Sequence, residues 1–162
     1  MTRSARTAED ARRRADALEE DGDFEGAIAA ISEAVDLERQ NPKYHALRGR
    51  LFHLREHWPE AIRDFDSALA LKPDAPTTLY FRARSKSMVN DLDGAIRDFE
   101  HCIELQPTSA DAYAEIGHIK YFRGNLLQAR DAYKKALSLD PERYSDVKDL
   151  VGEIEQKLKR AT

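Results

Sequence analysis

Apolar residues recur at intervals of three and four along most of this chain, and the whole arrangement returns every 34 residues. The stretch AIRDFDSALALKP, which begins at Ala61, is followed by AIRDFEHCIELQP, which begins at Ala95. Related stretches begin at Ala27 and Ala129. Because steps of three and four residues mark one face of an α-helix, each copy predicts an amphipathic helix.

Four repeats fit the sequence without an insertion, at 8–41, 42–75, 76–109 and 110–143. In the second half of each repeat, position 20 is alanine and position 24 is large and apolar: Ala27, Ala61, Ala95 and Ala129, then Ile31, Phe65, Phe99 and Tyr133. The first half has its own helical stripe, in which position 8 is small: Ala15, Gly49, Ala83 and Gly117. Turn-forming stretches such as NDLDG separate the halves, so each repeat is predicted to be a helical hairpin.

Small residues at positions 8 and 20 predict close contact between the two helices of one hairpin. The large residue at position 24 then fills the space towards the next hairpin. Prolines at position 32 stop the second helices, and Asn41 followed by Pro42 is typical of a helix start. One hairpin cannot bury its apolar face alone, so successive hairpins are expected to stack.

These residues resemble the tetratricopeptide repeat (TPR) family, which has a small residue at position 8, alanine at 20 and 27, an aromatic at 24 and proline at 32. The match departs from the family at Arg39, which replaces the first proline, and at position 4, where the family favours tryptophan. The resemblance implies an all-α fold, a right-handed α-solenoid of four helical hairpins whose inner wall is lined by the first helices.

Residues outside the repeats are assigned by their own patterns. The segment YSDVKDLVGEIEQKLKR predicts a C-terminal capping helix and tail over 144–162, with Val147, Val151 and Ile154 on its apolar face. Residues 1–7 are predicted to be flexible, with Thr7 as the cap of the first helix. The repeats are then expected to form a single TPR domain over 8–143.

Composition and charge narrow the classes of function. A net charge of −4 disfavours general nucleic-acid binding, and the arginines of ARRRADALEE are expected to pair locally with Asp16, Glu19 and Glu20. No apolar run approaches the roughly 20 residues that span a bilayer, and no secretory signal opens the chain. A lone cysteine excludes an internal disulfide, so a cytoplasmic protein is predicted.

Candidate chemistry is sparse. His53 and His57 have the spacing of a metal-binding pair, but they are expected to face solvent at a helix end, and a metal role would also need His118. Cys102 is expected to be a small core residue, and the Asp64–Asp66 pair to lie on a solvated face. No catalytic residues, cofactor or metal are predicted, and the chain is not expected to be an enzyme.

The resemblance places positions 2, 5, 9, 12 and 13 of each repeat on the inner wall of a concave groove. Arginine can hold a carboxylate, and aromatic residues and methionine supply apolar contact, so a partner peptide or helix with an acidic residue and apolar anchors is predicted. The predicted partner-binding residues are Arg50, His53, Leu54, Tyr80, Arg84, Met88, His118, Tyr121 and Phe122. A clamp of the kind that grips chaperone tails is not expected. The family's clamp residues do not match this chain, whether the comparison starts at the first repeat or at the second.

The sequence therefore predicts a non-enzymatic protein-protein interaction module that serves as an adaptor, a scaffold or a dedicated partner protein. Two alternatives remain open at this point. The chain could be a self-assembling structural protein, or it could be a chaperone or immunity partner of a secreted effector or toxin. As an interaction module, it is expected to be a monomer or to associate weakly with itself.

Overall fold

The computed structural model describes residues 7–160, and within that range the chain is all helical, with no strand. The nine helices are α1 (Ala8–Glu20), α2 (Phe24–Leu37), α3 (Pro42–Leu54), α4 (Trp58–Leu71), α5 (Pro76–Met88), α6 (Leu92–Leu105), α7 (Ala110–Phe122), α8 (Leu126–Leu139) and α9 (Val147–Arg160). From α3 to α8, each helix begins 34 residues after its equivalent in the preceding repeat. The predicted all-α fold is confirmed, as are the helical hairpins of the first, second and fourth repeats, in which α1 packs on α2, α3 on α4 and α7 on α8.

The chain divides into two compact units, one up to residue 90 and one from residue 91. In the first unit, α1 packs on α2, α2 on α3, α3 on α4 and α4 on α5. In the second unit, α6 packs on α7, α7 on α8 and α8 on α9. The single domain over 8–143 stays a prediction. Apart from Thr7, the segment predicted to be flexible lies outside the described residues.

Small residues make the close helix contacts that the repeat predicts. Ala61 and Ala129, both at position 20, are fully buried, with 0% of their surface exposed. In the first unit, a Cβ added to Gly49 would lie 2.8 Å from the Phe65 ring and 3.2 Å from the Ala61 carbonyl oxygen. Real Cβ atoms essentially never lie as close as 2.8 Å to another heavy atom, so alanine at position 49 would have to displace the Phe65 ring.

Helix ends follow local side-chain chemistry. The Thr7 hydroxyl accepts a hydrogen bond from the Asp10 amide at 3.1 Å, and the Asp10 carboxylate accepts one from the Thr7 amide at 3.2 Å. The Asn41 side chain accepts from the Lys43 amide at 3.2 Å, directly before Pro42. Both predicted caps are therefore confirmed.

The turn between the two helices of each repeat contains one residue in the left-handed conformation, always at the same repeat position. These four residues have positive φ angles: Gly22 (80°), Glu56 (60°), Asn90 (65°) and Gly124 (76°). Glycine adopts this conformation without steric cost, whereas a glutamate does not. The turn geometry therefore repeats with the helices even where the sequence does not supply glycine.

The C-terminal helix is observed, but it begins at Val147 instead of Tyr144 because residues 141–146 form turns. Its buried residues Val147, Val151 and Ile154 belong to one apolar cluster with Ala129 and Tyr133 of α8. Helix α9 thus covers the last hairpin, as a capping helix is expected to do.

Candidate functional site

A cavity of about 640 Å³ opens in the first unit between the first helices of successive repeats. This first-unit cavity is lined by residues of α1, α3 and α5, with one side chain from α4 and one from the turn before α3: Glu9, Arg12, Asn41, Lys43, Tyr44, Ala46, Leu47, Arg50, Phe65, Thr77, Thr78 and Phe81. Its volume falls in the range of about 300–1,000 Å³ that is usual for ligand pockets.

The floor of the first-unit cavity is apolar. Tyr44 and Phe65 are buried, with 5% and 1% of their surface exposed, and Leu47 and Phe81 are half-buried. The Phe65 and Phe81 rings stack, with centroids 6.4 Å apart and planes inclined by 20°. These aromatic and aliphatic surfaces can accept an apolar side chain.

Two arginines line the cavity, and carboxylates of the same chain hold both. Arg12 donates to Glu9 at 2.7 and 2.8 Å and also pairs with Asp16. The hydrogen bond from Arg12 lowers the pKa of Glu9 to about 2, so this carboxylate stays ionised at neutral pH. Arg50 donates to both oxygens of Glu19, at 2.7 and 2.6 Å.

Lys43 is the remaining cation of the cavity lining. Its side chain is exposed, and within residues 7–160 no carboxylate pairs with its ammonium group. The cavity thus combines an apolar floor, two neutralised guanidinium groups and one ammonium group open to a partner.

The prediction that His53 faces solvent at a helix end is wrong. The side chain is buried, with 6% exposed, and its Nδ1 lies 2.8 Å from the Ser85 hydroxyl oxygen. The Ser85 hydroxyl donates to the Phe81 carbonyl oxygen, so it accepts from the imidazole. The imidazole ring meets the rings of Trp58 and Phe81 edge-on, at 4.9 and 5.5 Å. Aromatic packing and this hydrogen bond keep His53 in the core, where a partner cannot reach it.

The other predicted partner-binding residues of the first unit lie mostly outside the cavity. Arg50 lines it and is held by Glu19. Leu54 and Met88 are exposed at the C-terminal ends of α3 and α5, at 47% and 59%. Tyr80 is half-buried, and the Arg84 guanidinium lies 5.9 Å from the centre of its ring.

The predicted residues of the second unit lie on α7. His118 is exposed, 3.9 Å from Glu115, and its ring meets Tyr133 edge-on at 5.3 Å. Tyr121 packs against the apolar cluster that α8 and α9 share, and the Lys157 ammonium lies 5.8 Å from the centre of the Tyr121 ring. Phe122 is 80% exposed. That these residues bind a partner stays a prediction.

Two charged groups have partners that the sequence pattern did not predict. Asp64 was expected on a solvated face, but it is buried and accepts two hydrogen bonds from Arg48, at 2.7 and 2.8 Å. Glu19 was expected to pair within α1, and it bonds Arg50 of α3 instead. The predicted local pairing does hold for Arg12 and Asp16. Sequence spacing finds pairs on one helix but not pairs between helices.

The remaining candidate groups are structural in character. Among the described residues, no three His, Cys, Asp or Glu side chains come together as a metal site. Cys102 is buried, which raises the pKa of its thiol, so its assignment as a small core residue is confirmed. No helix in the described part of the chain is long and apolar enough to cross a membrane.

Known proteins share sequence with much of this chain. It is 29% identical over 94 residues to Hsp70-Hsp90 organizing protein 2 of Arabidopsis thaliana, and 27% identical over 128 residues to human serine/threonine-protein phosphatase 5. These matches cover 58% and 79% of this chain but only 16% and 25% of those proteins.

Solved structures share its fold. A crystal structure of MamA superposes with a TM-score of 0.81 at 22% identity, covering 95% of this chain and 89% of MamA. The first TPR of Spaghetti (RPAP3) bound to the HSP90 peptide SRMEEVD superposes with a TM-score of 0.71 at 20% identity, covering 73% of this chain and 94% of that one. Three family models, each described as a tetratricopeptide repeat, match residues 6–76, 47–115 and 110–143. The chain therefore belongs to the tetratricopeptide repeat family.

Proposed function

We propose that this chain is a protein-interaction module that binds a peptide or helix of a partner protein on the first helices of its repeats. The first-unit cavity is the observation that carries the proposal. It is formed by α1, α3 and α5, and it offers buried aromatic surface beside charged groups. The same fold in the first TPR of Spaghetti (RPAP3) holds the HSP90 peptide SRMEEVD.

Preformed helices would lower the entropy cost of such binding. The lining side chains stand on helices that pack against one another, so a partner would not have to order a loop on binding. Leu54, Tyr80, Arg84 and Met88 would extend the contact beyond the cavity within the first unit. In the second unit, His118, Tyr121 and Phe122 are proposed as partner contacts of that unit by itself.

A non-enzymatic role fits the charges of the cavity. Glu9, with a pKa of about 2, is a poor proton donor or acceptor near neutral pH. Arg12 and Arg50 are bound to carboxylates of this chain. We accordingly propose an adaptor or scaffold, in the cytoplasm, rather than a catalyst. Self-assembly and neutralisation of an effector or toxin stay alternatives.

Filling the cavity tests the proposal. Ala46 lines the cavity, so Ala46→Trp should occupy the space of the partner. Affinity purification with the Ala46→Trp chain, followed by mass spectrometry, is expected to lose partners that the wild type retains. Ala70→Trp places the same side chain on an exposed position of α4 and should retain them. Equal partner sets from both variants, with unchanged helicity, would refute the proposal.

The residues predicted from sequence need a separate test. Tyr80→Ala and Arg84→Glu should weaken partner capture while leaving the melting temperature nearly unchanged, because neither side chain is buried. Capture at wild-type level by both variants would remove these two residues from the proposed surface.

A further inference from the structure

We infer that the first-unit cavity selects a peptide segment with one bulky apolar side chain next to a single carboxylate, and disfavours clusters of carboxylates. This inference rests on the proposed function and adds the chemistry of the partner. It also revises the sequence-based expectation that Arg50 grips an acidic residue of the partner.

The chain itself neutralises two of the three cations that line the cavity. Both terminal nitrogens of Arg50 donate to Glu19 in a two-pronged contact, and both side chains are more than two-thirds buried. Arg12 is bound by Glu9 and Asp16, whose side chains are more exposed, at 47% and 44%. A partner carboxylate would have to compete with these groups, and Glu9, Asp16 and Glu19 would repel further negative charge.

Lys43 supplies the one attraction left for a carboxylate. Its ammonium has no carboxylate partner among the described residues, and Lys43 lines the cavity one turn before Leu47. A carboxylate bound to Lys43 would leave the adjacent side chain of the partner next to the floor of Leu47, Phe65 and Phe81. Charge and apolar surface thus lie side by side, so the carboxylate and the apolar side chain should be close together in the segment.

An unbiased selection tests this chemistry. The full chain is immobilised and challenged with a display library of random seven-residue peptides, with the Ala46→Trp variant as a counter-selection. Enriched peptides are expected to carry one Asp or Glu within two positions of Leu, Ile, Met or Phe. Enrichment of peptides without an acid, enrichment of peptides with several acids, or no enrichment over Ala46→Trp would each overturn the inference.

Single substitutions then assign the contacts. Affinity for an enriched peptide, synthesised with both ends blocked, should fall roughly tenfold in Lys43→Ala, the loss expected for one charge-assisted hydrogen bond. Lys72→Ala removes an exposed lysine outside the cavity and should leave the affinity unchanged. Equal affinities of Lys43→Ala and wild type would contradict the assignment.

Releasing Arg50 gives the sharpest contrast. Glu19→Gln removes the charge that holds Arg50, so binding of the acidic peptide SRMEEVD should rise roughly tenfold over the wild type. If the wild type already binds SRMEEVD as tightly as Glu19→Gln does, the inferred selectivity is wrong. The proposed function would survive that result, because it fails only when cavity-filling variants retain every partner.

Discussion

The ring of Tyr133 lies directly on the backbone of Gly117: a Cβ added to this glycine would come within 2.6 Å of two ring carbons. Tyr133 is fully buried, with 0% exposed, between α7, α8 and α9. The contact repeats that of Gly49 with Phe65 in the first unit. In both hairpins the small residue of the first helix makes room for the aromatic ring of the second.

Gly117→Ala should therefore destabilise the chain, although alanine favours helices. The added methyl group must displace a ring that has no free space, which costs about 1–3 kcal/mol of unfolding free energy. Urea denaturation followed by circular dichroism measures the change. Unchanged stability would mean that Tyr133 can move away from α7 without loss.

Gly152→Ala should have the opposite effect and serves as the matched substitution. Gly152 lies inside α9, and no atom is found within 4 Å of the Cβ that alanine would add. Alanine removes the backbone entropy cost of glycine in a helix, so the free energy of unfolding should rise by about 1 kcal/mol. A drop in the melting temperature would contradict the placement of Gly152 on the open side of α9.

Glu56→Gly should stabilise the turn of the second hairpin. Glu56 has a φ of 60°, a conformation that costs a residue with a Cβ roughly 1–2 kcal/mol. Glycine removes that cost but brings more disorder to the unfolded chain, so a net gain of roughly 0.5–1 kcal/mol is expected. Glu100→Gly, at an exposed position in the interior of α6, is the control and should destabilise. A loss of stability in Glu56→Gly would show that the glutamate side chain stabilises the turn.

The architecture could be predicted because it depends on residue size at fixed intervals. Glycine or alanine at position 8 and alanine at position 20 indicate where helices cross, and Gly49, Ala61 and Ala129 lie where this pattern places them. The repeat strengthens each assignment, because the same steric requirement recurs in all four copies.

The candidate site was less predictable, because side-chain partners in different helices leave no mark on sequence spacing. The inner-wall positions correctly include Lys43 and Arg50, which line the first-unit cavity. The inner-wall positions also include His53, which is buried in the core in contact with Trp58 and Ser85. The inner-wall positions also miss Phe81, at position 6 of its repeat, although this residue lies on the cavity floor.

Asp64→Ala should be among the more damaging changes of a charged residue. Asp64 is 5% exposed and accepts two hydrogen bonds from Arg48, so its removal leaves a partly buried guanidinium without its partner. We expect a loss of about 3 kcal/mol, measured by urea denaturation. Asp66→Ala is the control, since Asp66 is exposed in its ion pair with Arg82, and it should cost less than about 1 kcal/mol. Equal effects of the two variants would contradict the buried pair.

Protonation of Glu9 should weaken the fold at acid pH. The hydrogen bond from Arg12 lowers the pKa of Glu9 from 4.5 to about 2, so the ionised carboxylate stabilises the folded chain. This contribution is complete above pH 4.5 and is lost as the pH falls towards 2. The difference in unfolding free energy between wild type and Glu9→Gln should accordingly shrink between pH 7 and pH 3, as urea denaturation at successive pH values would measure. Glu104→Gln, which removes an exposed glutamate without an ion pair among the described residues, should show no such trend. A difference for Glu9→Gln that stays constant over this range would mean that Arg12 does not hold Glu9 in solution.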